Sequence, residues 1–343
     1  MFSKIFLSQE NIDFNVDFIK KHKNSKICAM VKANAYGHGG RELTRALSDK
    51  VDYFGVSNQT EANEIRGVTD KEILVFGYCE NYKECMENDI SFAVFSYGHI
   101  KEIVKIAKEN QLSPKMHLCI NTGMNRYGVK SLKEFIKIIR FLSKNKLSLQ
   151  GVYTHFSSLT TDEEYTMRQK DLFDDYVAFV PKEWDCVVHI GGGNAIYRDF
   201  QADMYRIGLE IYGYGNEKLK PILEIETSIV DIQKVLAGEH VGYMCGFTAK
   251  EKMRVATIPL GYGDGLSRKL SNKLKVTIND KSAINVGNIC MDALMVDVTN
   301  IKCKIGDKVK IQVDATKMAN EIGTTEYEVL TGFSKFRGER IVY

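Results

Sequence analysis

LQGVYTH at residues 149–155, TDEEYTMRQKDLFDDYVAFV at 161–180 and CVVHI at 186–190 form the unit whose reading decides the fold. The outer two runs are short, apolar and β-branched, the pattern of a strand buried on both faces; the run between them returns its apolar residues every three or four positions, the period of a helix. Strand, helix, strand in that order requires parallel pairing. Working outward, the same alternation recurs: ICAMVK (27–32), YFGVS (53–57), ILVFG (73–77), SFAVFS (91–96) and KMHLCI (115–120) precede the unit, and YRIGLEIYG (205–213) follows it. The intervening segments carry Lys/Glu-rich helical patterns such as KSLKEFIKIIRFLSKNK at 130–146. Eight strand–helix repeats in a little over two hundred residues predict an α/β fold, a (β/α)8 TIM-type barrel spanning residues 1–216, better than an open doubly wound sheet.

Beyond Asn216 the texture changes. Long helical periods stop, and LEIETSIVDIQKV (223–235), MRVATIPLG (253–261), LKVTIND (274–280), SAINVG (282–287), ALMVDVT (293–299) and KVKIQV (308–313) follow, with turn signals at Asn279-Asp280 and Gly306-Asp307. A second, mostly β domain over 217–343 is expected, which the first few residues of the chain are able to join. Only four prolines occur, so the junction near NEKLKP is marked by the change of period and not by a rigid tether.

With 44% hydrophobic and 27% charged residues the chain has ordinary globular composition. Its charge balance, 47 basic against 44 acidic residues, or +3, offers no basic face for nucleic acid or membrane. A small anionic ligand fits that balance better than a polymer. The opening MFSKIFLSQENIDFN turns polar too soon for a secretory segment, and no run of about eighteen apolar residues occurs, so a cytoplasmic location is expected. Eight scattered cysteines read as reduced core thiols; Cys79 and Cys85, the closest pair, lack zinc-ligand spacing and His companions, and no metal is expected.

In such a barrel the active site lies at the carboxyl ends of the strands. Lys32 closes the first strand after an almost wholly apolar run. Taken alone, it either snorkels to solvent, the default for an isolated lysine, or is desolvated at the barrel mouth, where a lowered pKa makes an amine a nucleophile toward an aldehyde. His155 closes the sixth strand and is equally a satisfied core histidine or a group that stacks on a planar ligand or passes a proton. After the seventh strand come Gly191-Gly192-Gly193-Asn194, and the eighth carries Arg206 and Gly208. A glycine triplet serves either a loop needing positive φ or an anion cradle of backbone N–H groups, and its place after strands seven and eight favours phosphate.

Five motifs in order then make the pattern specific: AMVKANAYGHGG at 29–40, NTGMNRYG at 121–128, YRIGLEIYG at 205–213, IPLGYGDG at 258–265 and VGNICMD at 286–292. With them the chain resembles the alanine racemases, a pyridoxal-phosphate-dependent family, over nearly its whole length. The resemblance implies that Lys32 carries pyridoxal 5'-phosphate, that Tyr36, Gly193, Gly208 and Leu209 surround the phosphate, that His155 lies by the ring and that Arg206 faces the pyridine nitrogen. Arg126 braces the cofactor and contacts substrate. Tyr262 of the partner subunit is the second base opposite Lys32, and Met291 and Asp292 also reach across a homodimer interface near the substrate, a small amino acid. Supply of D-alanine for peptidoglycan is the implied role. A guanidinium at position 206 suits racemisation, because it donates to the ring nitrogen without readily giving up its proton.

Three positions depart from the family pattern. Cys119 stands where many members carry a lysine, often carbamylated, that orients the arginine matching Arg126; Gly193 replaces a serine at the phosphate; and SKFRGERIVY lacks the tyrosine many members place near the entrance. The same scaffold is compatible with a serine or broad-specificity racemase. A non-catalytic pyridoxal-phosphate-binding barrel protein would lack residues 217–343, and a barrel decarboxylase would set an acidic residue, not Arg206, at the ring nitrogen.

Overall fold

The computed structural model describes residues 3–192 and 194–343. A first strand, β1 (Lys4–Leu7), is followed by the eight strands of a closed parallel barrel: β2 (Lys26–Met30), β3 (Tyr53–Val56), β4 (Glu72–Val75), β5 (Ser91–Val94), β6 (Met116–Cys119), β7 (Gly151–His155), β8 (Val187–Gly191) and β9 (Met204–Ile207). Each falls within, or within a residue of, one of the eight apolar runs read from the sequence. The barrel closes where β2 pairs with β9, Cys28 opposite Arg206. Every residue of β3, β5, β6 and β9 is buried, which is why these strands read as continuous apolar runs.

The helices between strands begin where a short polar side chain accepts a backbone N–H three residues on: Asn58 from Glu61, Asn81 from Glu84, Ser96 from His99, Ser131 from Glu134 and Asp162 from Tyr165. These caps set where each loop ends, and so hold the strand ends that carry the polar residues.

The chain divides by its contacts into two compact units. One, Phe14–Lys32 with Leu47–Ile211, contains the barrel. The other joins the segment up to Asp13, Ala33–Ala46 and Tyr212–Tyr343. Its strands are β10 (Leu223–Ser228), β11 (Asp231–Val235), β12 (His240–Val241), β13 (Phe247–Thr248), β14 (Met253–Ile258), β15 (Lys275–Ile278), β16 (Lys281–Ile284), β17 (Leu294–Asp297), β18 (Lys308–Gln312) and β19 (Glu339–Val342). A six-stranded sheet runs β16-β15-β18-β10-β1-β19, beside a three-stranded sheet β11-β14-β17 and the pair β12-β13. Strand β1 thus belongs to this sheet, antiparallel to β10 and parallel to β19. The expected turn at Asn279-Asp280 joins β15 to β16 with both residues at positive φ. Two short helices, Ala315–Ile322 and Glu326–Gly332, interrupt the β texture and were not expected from it. No helix among the described residues is long and apolar enough to cross a membrane.

Candidate active site

The site is built first around Arg206, fully enclosed in the barrel. One terminal nitrogen donates to the Thr154 carbonyl at 2.6 Å and to His155 Nδ1 at 3.4 Å, and the other donates to His189 Nδ1 at 3.0 Å. The guanidinium lies over the rings of Tyr153 and Phe76, 4.9 and 5.3 Å from their centroids. Beneath it Gly191 has no side chain for good reason, since a Cβ there would sit 2.5–2.6 Å from three guanidinium atoms.

Because a guanidinium only donates, these bonds fix the histidine tautomers. His189 accepts at Nδ1, so its proton is on Nε2, from which it donates to His117 Nδ1 at 2.9 Å. His117 then carries its own proton on Nε2, which meets no partner among the described residues. His155, accepting at Nδ1, likewise holds its proton on Nε2. Burial, then the Arg206 charge, drives all three below the usual imidazole range, His117 and His155 to about 3, and keeps them neutral. Arg206 is therefore a buried cation in the barrel, and among the described residues no carboxylate is hydrogen-bonded to it.

Lys32 follows β2 by two residues, the strand ending at Met30 and Val31 donating its N–H to the Gly55 carbonyl. Burial and the Arg126 charge lower its pKa, with Arg206 adding to the effect and Glu61 opposing it. The next four residues, Ala33 to Tyr36, turn left-handed with φ of 49–53°. L-residues resist that conformation by roughly 1–2 kcal/mol each. It is held by bonds from Gly37 N–H to the Ala33 carbonyl and Gly40 N–H to Asn34 Oδ1, and by Ser334 Oγ donating to the Ala33 carbonyl at 2.9 Å. Tyr36, at the end of the turn, is buried and stacks on Tyr212 with centroids 4.9 Å apart, with Tyr327 edge-on at 5.5 Å.

Arg126 is exposed in the loop after β6, its guanidinium 5.9 Å from the Tyr127 ring, with no carboxylate partner among the described residues. The Cys119 thiol donates to the Tyr127 carbonyl at 3.6 Å, and burial pushes its pKa up to about 11. It is a neutral thiol and supplies no anion to orient Arg126.

Gly208 and Leu209 follow β9, where the Ile211 N–H returns to the Gly208 carbonyl. The Glu210 carboxylate, buried, accepts the Asn194 N–H at 2.9 Å and also faces the N–H groups of Gly208 and Glu210. Burial raises the pKa of this carboxyl, against the lowering effect of those N–H donors; sequence reading missed this internal acid at the glycine-rich loops. Gly193 lies outside the described residues.

In the other unit, Tyr262 opens a short turn, Tyr262–Asp264, and is 40% exposed. Its N–H donates to the Cys290 carbonyl, and Gly263 N–H donates to that of Met291, so Tyr262, Met291 and Asp292 form one cluster. Arg337, also missed, bonds both Asp264 and Asp292. Among the described residues no group of His, Cys, Asp or Glu is arranged to hold a metal ion.

Comparison with known proteins agrees with this geometry. The family model for the alanine racemase N-terminal domain matches residues 7–216, and that for the C-terminal domain matches 222–342. An alanine racemase of Francisella philomiragia is 31% identical, the match covering 95% of this chain and 96% of that one; one of Clostridium novyi is 32% identical, covering 96% and 92%. The solved alanine racemase of Clostridium difficile 630 superposes with a TM-score of 0.91 at 30% identity, covering 100% of this chain and 96% of that one. That of Bacillus anthracis, solved with bound L-Ala-P, superposes at 0.88 with 29% identity, covering 99% and 95%.

Proposed function

This chain belongs to the alanine racemase family, and on that premise we propose that it interconverts L- and D-alanine as a pyridoxal-phosphate-dependent isomerase, a cytoplasmic homodimer with shared sites. The observation that carries the reading is Arg206, a buried cation held by the Thr154 carbonyl and bordered by neutral imidazoles, with no carboxylate among its hydrogen-bond partners in the described residues.

The residues fit the cofactor. Lys32, its pKa lowered by burial and by Arg126, is an amine able to attack an aldehyde at the barrel mouth. Gly191 leaves room for a guanidinium pressed flat, and Arg206 offers one N–H to a ring nitrogen. Tyr36 and the backbone at Gly193, Gly208 and Leu209 are assigned to the phosphate. Pyridoxal phosphate, when bound, supplies an electron sink that acidifies the α-C–H of an attached amino acid.

The protein's residues do the rest. Arg206 would hold the ring nitrogen by a donated N–H while keeping its own proton, so the group would supply only a weak sink, which favours return of the proton to the α-carbon. Lys32 removes or returns that proton on the D face, and Tyr262 of the partner subunit does so on the L face. His155, protonated at Nε2, is able to donate to the phenolate form of the partner's Tyr262 and so favour it as a base. Arg126 receives the substrate carboxylate, with Met291 and Asp292 of the partner subunit beside it.

Two variants test this. Lys32→Ala abolishes the visible absorbance of the cofactor-linked protein together with racemisation, and unchanged absorbance would sink the attachment. Tyr262→Ala in deuterated water slows α-deuteration of L-alanine far more than of D-alanine; preferential loss with D-alanine reverses the assignment of faces.

A further inference from the structure

The turn that carries Tyr262 and the loop that carries Met291 are both tied to one side chain. Arg337 Nε donates to Asp264 Oδ1 at 2.8 Å and its NH2 group to Asp264 Oδ2 at 2.9 Å, a two-point fork, while NH1 reaches Asp292 Oδ1 at 2.7 Å. Asp264 also accepts the Gly261 N–H at 3.0 Å, which closes the turn on itself just before Tyr262. The two loops are stitched by the Tyr262 N–H to Cys290 carbonyl and Gly263 N–H to Met291 carbonyl bonds, 3.0 and 2.8 Å. The Asp264 side chain is 8% exposed, so its carboxylate is shielded and is held between Arg337 and the Gly261 N–H; Asp292, at 64%, is screened by water. An ammonium could not replace the guanidinium, because one point charge cannot span both Asp264 oxygens and Asp292.

We propose that Arg337 is a positioning residue for the opposing base: by gripping Asp264 and Asp292 at once it fixes the Tyr262 phenol and Met291 in one register. Asp292 then serves through its bond to Arg337. The inference rests on Tyr262 being the L-face base.

The test is α-proton exchange of the holoenzyme in deuterated water with L- and D-alanine separately, run beside amide hydrogen exchange. Arg337→Gln and, as a near-isosteric second variant, Asp264→Asn are expected to slow L-alanine exchange about 100-fold, the scale of an ångström-sized misplacement. D-alanine exchange stays within about threefold, because an interaction with one base alone is lost. The Tyr262 and Gly263 amides exchange about tenfold faster or more, reporting the loosened loop independently of turnover. Arg337→Lys falls between. Wild-type L-alanine exchange in Arg337→Gln, or equal slowing with both enantiomers, overturns the proposal. Tyr262→Phe run in parallel separates the failures: if it loses L-alanine exchange while Arg337→Gln keeps it, only the role of Arg337 is wrong, and if it retains L-alanine exchange, the base assignment falls and the proposal with it.

Discussion

Replacing Gly191 with alanine probes Arg206 without touching it. The added Cβ would lie 2.5 Å from one terminal nitrogen and 2.6 Å from Cζ and Nε, whereas ordinary contact begins at 3.4 Å, so the guanidinium must retreat by about 0.9 Å. It has little room to do so. The Thr154 carbonyl at 2.6 Å and His189 Nδ1 at 3.0 Å hold its ends, and Tyr153 and Phe76 flank it. Overpacking of this kind costs about 1–3 kcal/mol, and loosening one charge-assisted bond about 1.5–3 more. A total of about 2.5–6 kcal/mol corresponds to a fall in Tm on the order of 10 °C. A displacement near 1 Å at the ring-nitrogen partner should lower α-proton exchange about 100-fold, with both enantiomers alike, because Arg206 serves neither base exclusively. Thermal unfolding of the holoenzyme and exchange in deuterated water read the two effects. In the double variant Gly191→Ala with Arg206→Lys, the slimmer amine relieves the clash, and the coupling between the two changes should exceed about 1 kcal/mol. Wild-type Tm and exchange in Gly191→Ala, or strict additivity in the cycle, would refute the picture of a pinned guanidinium.

Acid stability follows from the buried histidines: His38 is held at about 4 and His117 and His155 at about 3, against an ordinary value of 6.5, so below pH 6.5 the unfolded chain takes up protons that the folded one refuses. The stability present above pH 6.5 should therefore fall on acidification by about 1.4 kcal/mol per pH unit for each histidine, down to its folded pKa; urea unfolding between pH 7 and 5 that shows no slope would contradict this. Mixing Lys32→Ala with Tyr262→Phe should restore about a quarter of wild-type activity through hybrids holding one intact site, and hybrids of proven mass that stay inactive would rule out shared sites. The buried Glu210 carboxyl faces the Gly208 N–H, one of the amides assigned to the phosphate, and like charges brought together cost several kcal/mol. Glu210→Gln should thus tighten pyridoxal phosphate relative to pyridoxal, and an unchanged ratio in a spectroscopic titration would show that the carboxylate and the phosphate do not compete.

The barrel was readable because each strand is a short apolar run buried on both faces and each intervening segment returns its apolar residues at helical spacing, signals confined to a few neighbouring positions. Lys32, His155 and Arg206 were nominated for the same reason, as polar residues placed in or at the end of such runs. His117 and His189 carried a weaker form of that signal, polar residues inside KMHLCI and CVVHI, but nothing local says that two strands far apart in sequence set them ring to ring. The short helices at 315–332 were missed because two turns of mixed composition do not rise above a β-rich background.

What local pattern could not supply was the set of partners that make those residues competent. Ala33, Asn34, Ala35 and Tyr36 have no common preference for positive φ. Their left-handed turn is supported by Ser334, 301 residues away, and by Arg340, which donates to the Gly37 carbonyl. Arg337 and Asp264 are separated by 73 residues, and neither lies at the end of an apolar run. A residue that does chemistry here sits in or at the end of an apolar run or in a short motif, where sequence pattern marks it; a residue that orients it need only be close in the folded chain, so its identity is encoded in the fold and not in any one segment. Cys119 makes the same point from the other side. Losing the family's lysine is visible in the sequence, but that the replacement is a neutral thiol bonded to the Tyr127 carbonyl, and so leaves Arg126 without an anion, follows only from its burial.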